Sequence, residues 1–216
     1  MAIADINFGE WYSIAKLKAA IDEHLCIEDI HSECCDREAN DDTKKFYDEI
    51  LPIFCYAEDY GASEVLYVDD STTENSYDGK IKVDGNVIFI ECTKAISQED
   101  AILQRTIDDE CYKFGYSELP IKSCSLIEFR ENITDCIQRA IENKIEKSQK
   151  KPGKYNGFHL ILTLDNTDFM FCSEEDIVKG IDTYFTLKDI TPFVKVILYW
   201  KINTGFPKKI TEITKS

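Results

Sequence analysis

The chain switches between two hydrophobic periods. Over residues 10–31, Ile14, Leu17, Ile21 and Leu25 recur at helical spacing, which predicts a helix. Residues 42–60 repeat the pattern through Phe46, Ile50, Phe54 and Ala57. Pro52 inside that stretch predicts a kink or a fresh helix start, and Gly61 a stop. The period then falls to two. EVLYVDD (64–70), KIKVD (80–84) and NVIFIECT (86–93) read as strands, the last two joined through the tight-turn signal Asp84-Gly85-Asn86. Ser97-Gln-Glu-Asp100 reads as the capped start of a helix over 97–114, with Leu103, Ile107, Cys111 and Phe114 on one side. CSLIEF (124–129) reads as a short extended segment. Asn132-Ile-Thr-Asp135 then opens a helix carrying Ile133, Ile137, Ile141 and Ile145, which ends at Pro152-Gly153. FHLILTL (158–164) and VKVILYW (194–200) are apolar strands, separated by a helix over 174–186 that Ser173-Glu-Glu-Asp176 caps.

Helices therefore lie on both sides of a strand cluster, and the late strands are nearly continuous apolar runs, as strands covered on both faces are. The expected fold is α/β, three-layered, with a mixed central sheet and helices on both faces. An acidic helical region, 1–41, packs on an α/β unit, 42–216, in a single domain overall.

Charge changes this picture. The 216 residues carry 25 Lys and Arg against 41 Asp and Glu, a net of −16. The acidity belongs to residues 1–110, which hold 27 acidic and 9 basic side chains; the rest is nearly balanced, with 14 and 16. Such a chain is a poor generic binder of nucleic acid unless it carries a local basic face. Arg139, Lys144, Lys147, Lys150, Lys151 and Lys154 form such a strip along the predicted helix 132–151 and its exit. The acidic stretch 22–49 offers the opposite choice, a surface for a basic protein partner. No apolar run approaches membrane-spanning length, and MAIADINFGEW has neither the basic nor the apolar part of a signal peptide, so a cytoplasmic protein without a membrane partner is expected. In that setting the nine cysteines read as reduced thiols. His24, His31, Cys34 and Cys35 lie close in sequence but lack zinc-site spacing. The 11 Tyr and 12 Phe are spread over core-like positions, and no run of them reads as a stacking platform.

The chemistry centres on YDGKIKVDGNVIFIECTKA (77–95). Val87, Phe89, Glu91 and Thr93 share one face of the second hairpin strand, and Lys80 and Lys82 share the polar face of the first. Glu91 is a carboxylate in an apolar strand, costly to bury unless paired or coordinated. Folding the hairpin brings Asp78 near it. Two carboxylates with a lysine nearby can hold Mg²⁺ through oxygen ligands.

This arrangement resembles the PD-(D/E)XK, restriction-endonuclease-like superfamily, whose core is α-β-β-β-α-β, over residues 42–165. The resemblance implies Asp78 and Glu91 as ligands of Mg²⁺ or Mn²⁺. It also implies a catalytic lysine two residues after the Glu. Thr93 stands there instead; Lys94, brought round by a bulge, or Lys80 is the expected substitute. Glu58 and Gln104 match accessory polar positions. The expectation is a metal-dependent nuclease hydrolysing DNA or RNA, guided by the basic strip. The alternative is a non-catalytic inhibitor or immunity-type protein that binds a basic partner through its acidic region.

Overall fold

A computed structural model describes residues 6–27, 45–68, 77–95, 126–165, 175, 178, 190–201 and 208–214. Seven strands form one mixed sheet in chain order: β1 (Trp11–Ser13), β2 (Glu64–Tyr67), β3 (Gly79–Val83), β4 (Asn86–Ala95), β5 (His159–Asp165), β6 (Lys195–Lys201) and β7 (Lys208–Thr214). β1 to β4 are an antiparallel meander, β5 and β6 add in parallel to β4, and β7 returns antiparallel.

Three helices accompany the sheet among the described residues: α1 (Ile14–Ile27), α2 (Leu51–Asp59) and α3 (Leu126–Lys150). A π-helical turn, Phe46–Ile50, leads into α2, and Pro52 sits in the first turn of α2, where its missing N–H goes unneeded. Gly61 ends the helix at φ +63°, as expected.

The helices cover opposite faces. Leu17 and Ile21 of α1 and Leu51, Ile53, Phe54 and Ala57 of α2 bury against Ile81, Ile90, Cys92, Ile161, Ile197 and Tyr199. Cys136, Ile137, Ala140 and Ile141 of α3 bury against Leu160, Leu162, Leu164, Val196 and Leu198. Alternate residues of β5 and β6 thus enter two separate cores, which is why both strands read as unbroken apolar runs.

The hairpin forms as expected. Val83 pairs with Asn86 across Asp84 and Gly85, both at positive φ (49° and 79°), the geometry that a two-residue hairpin turn requires. Two expectations are corrected. The segment 124–129 is not extended, because α3 already begins at Leu126; a short apolar run fits either period. The first helix starts at Ile14 rather than residue 10, because Trp11–Ser13 pair with Glu64–Leu66 as β1. The helix expected over 97–114 lies outside the described residues, as does nearly all of that expected over 174–186.

Candidate functional site

β4 changes partners midway. Its first half, Asn86–Ile90, pairs with β3; its second half, Ile90–Ala95, pairs with β5 on the other side. Past Ile90 the N–H of Cys92 needs an acceptor other than a β3 carbonyl. The Asp78 carboxylate supplies it, accepting from Cys92 N at 2.5 Å. The Asp78 backbone is tied on both sides, its N–H to Ile90 O (2.9 Å) and its C=O to Val68 N (3.0 Å). The residue type and its position at the mouth of β3 together place a carboxylate where the ladder opens.

Glu91 sits at the same handover, on the α3 face, in register with Leu160. Both carboxylates are buried, Asp78 to 8% and Glu91 to 6% exposure. Lys144, 53 residues away on α3, donates to Glu91 Oε1 and, at 3.1 Å, to the Cys92 carbonyl. Tyr155 OH donates to the same Glu91 oxygen at 3.3 Å. Burial pushes the Asp78 carboxyl up to about 8, and the neighbouring charges of Glu91 and Glu49 add to it. Glu91 is also raised by burial, though Lys144, Lys154 and Tyr155 act against the rise. One buried ammonium therefore faces two carboxylates, with a third, Glu49, close enough to be felt.

The remaining expected residues divide. Thr93 and Lys94 are half-buried on β4, and the β4–β5 register runs unbroken from Ile90 to Ala95. The bulge that would turn Lys94 onto the Glu91 face is therefore not there. Lys80 lies over the rings of Tyr77 and Phe89, at 4.7 and 5.0 Å from their centroids. Glu58 is outside the cluster, paired with Lys18 at 2.7 Å on an exposed part of α2. Arg139 is half-buried with its guanidinium on Cys136 Sγ (3.4 Å). Lys147, Lys150 and Lys151 are exposed, and Lys154 lies 4.8 Å over the Tyr155 ring. Lys144, assigned to the open strip by sequence, belongs to the carboxylates instead. Gln104, His31, Cys34 and Cys35 lie outside the described residues, as does the side chain of His24.

Tyr155 and Glu49 escaped the sequence reading, and Lys144 was read there only as part of the basic strip. The only signal for Lys144 was the break in the apolar side of α3, where Ile141 and Ile145 flank a half-buried position.

The oxygen-only donor pair suits a hard divalent cation, and burial, with Glu91 beside Asp78, disfavours the charged carboxylates that a cation would stabilise. Among the described residues, no three His, Cys, Asp or Glu side chains are grouped to hold a metal; Asp78 and Glu91 offer two carboxylates. No protein-family model, curated protein or solved structure matches the chain.

Proposed function

We propose that the chain is a metal-dependent phosphodiester hydrolase acting on nucleic acid, with Asp78 and Glu91 as ligands of Mg²⁺ or Mn²⁺. The observation that carries this reading is the pair of buried, adjacent carboxylates at the β4 handover with Lys144 against them. The order α2, β2, β3, β4, α3, β5 supports a restriction-endonuclease-like core around it. A bound cation would supply polarisation of the scissile phosphate and a more acidic water.

Lys144 takes the role that Thr93 cannot. Its ammonium already touches Glu91 and the Cys92 carbonyl, so it is placed to stabilise charge developing beside them. Tyr155 holds the Glu91 carboxylate in one orientation.

A second reading is favoured by the same contact. Lys144 neutralises Glu91 from within the protein, as in a structural ion pair of a non-catalytic binding protein that engages a basic partner. Cleavage assays with DNA and RNA in Mg²⁺ and Mn²⁺ separate the two. The first reading expects cleavage that Asp78→Asn abolishes while the fold persists. Wild-type protein that cleaves neither polymer removes it.

A further inference from the structure

The sheet assembles aromatic side chains that the sequence scatters. Across the strands on the Glu91 face, register aligns Trp11 with Leu66, Leu66 with Lys80, and Lys80 with Phe89. Phe158, just before β5, continues the row: its ring stacks on Phe89 with centroids 5.2 Å apart and planes 11° from parallel. Tyr77 meets both rings edge-on, at 5.2 and 6.2 Å. Tyr77, Lys80, Phe89 and Phe158 are all half-buried, and Val87 and Val194 beside them are exposed. This row lies two residues along β4 from Glu91, on the same face.

We propose that the Phe89–Phe158 pair, with Tyr77 and Lys80, is a stacking subsite for an unpaired nucleobase, so that the site takes single-stranded rather than duplex nucleic acid. The inference rests on the hydrolase reading for what happens next to the base, not for the binding itself. Among the described residues no carboxylate pairs with Lys80; its ammonium rests on the two rings. A base arriving on those rings replaces a half-buried cation–π contact with the stronger stacking of two π systems. The flexible lysine is then released to the adjoining phosphate. Lys154, over the Tyr155 ring that meets Phe158 at 5.9 Å, has a charge that reaches Glu91 and supplies a second cation. Aromatic rings interleaved with lysines along one sheet face suit a strand whose bases are splayed out; a duplex keeps its base faces stacked inside.

The test uses the full chain in EDTA and a 12-nucleotide thymidine oligonucleotide carrying one 2-aminopurine. Wild type should change the 2-aminopurine fluorescence on binding, and unlabelled single strand should compete better than the matching duplex. Phe89→Leu and Phe158→Leu, which keep apolar volume but remove the π face, should each weaken binding about fivefold or more. Phe89→Tyr should restore it, and thermal melts confirm that each variant folds. Absence of binding, equal competition by duplex, or wild-type affinity in both Leu variants overturns the subsite. Binding with the fluorescence change but no cleavage in Mn²⁺ supports the subsite and removes hydrolysis. Duplex cleavage at the wild-type rate by Phe89→Leu overturns the subsite and leaves hydrolysis standing.

Discussion

Lys144 bonds two oxygens of β4 at once, and both members of its ion pair with Glu91 are largely shielded from water, with 14% and 7% of their side chains exposed. Removing one partner of a buried pair strands the other charge. Lys144→Met should therefore destabilise the fold by roughly 3–5 kcal/mol, read by chemical denaturation. Asp78→Asn should do the opposite in the metal-free protein. Its amide oxygen still accepts from Cys92 N–H, while the carboxyl that folding must either bury charged or protonate is gone, so a gain on the order of 1 kcal/mol is expected at neutral pH together with loss of cleavage. On the opposite face, His159 shares a buried hydrogen bond with Tyr56 OH. Burial, and next Lys195, hold its pKa down to about 4, with Glu212 opposing them. The unfolded chain takes up that proton first, near the ordinary histidine value of about 6.5. Stability from neutral His159 is thus complete above about pH 6.5 and lost as the pH falls towards 4. The urea midpoint of wild type relative to that of His159→Gln, measured across that window, should fall as the pH is lowered, and a constant difference would remove the assignment.

At the scale of elements, α2 is set against the meander closely enough that β3 must begin with glycine. A Cβ on Gly79 would stand 2.9 Å from Ile53 Cδ1 and 3.0 Å from the Leu66 carbonyl. The isoleucine tip can shift, but the backbone oxygen is held in the β2–β3 ladder. Gly79→Ala should cost about 1–3 kcal/mol, and because Asp78 precedes it, cleavage should fall further than stability alone explains. The hairpin itself was legible because Ile81 and Val83 alternate with Lys80 and Lys82 up to an Asp-Gly turn. β7 was not. Its pairing with β6 slips between Leu198 and Tyr199, leaving Ile210 outside the regular register. Ile210 and Ile213, an odd number apart, then both pack on the α3-side core, so no period of two survives in the sequence. β1, at three residues, is too short to show a period. Lys144 was legible only as one lysine among six basic residues, since its place beside Ile141 and Ile145 does not say that the helix turns it towards a strand 53 residues earlier.

For the whole molecule, the charge division along the chain meets the fold at α3. Lys147 and Lys150 lie in its last turn, where cations suit the helix C-terminus, and Lys151 follows them. All three are exposed on the element that also delivers Lys144 to the carboxylates. If nucleic acid approaches along α3, replacing the three by Gln should weaken binding. The slope of log affinity against log salt should then fall by roughly one for each phosphate no longer neutralised. A titration between low and physiological salt reads this directly, and an unchanged slope places the polymer elsewhere. Such a route would lead from the exposed lysines past Lys144 towards the row of Phe89 and Phe158.

The bond from Cys92 N–H to the Asp78 carboxylate also makes a backbone atom a witness to the site. An amide proton held by a carboxylate resonates far downfield, and it exchanges with solvent only when that hold is released. In a nitrogen-15 spectrum the Cys92 peak should therefore move when a cation draws charge from Asp78, and move again in Asp78→Asn. One resonance, on a residue with no chemistry of its own in the proposal, would report whether the carboxylates meet a metal before any substrate is added.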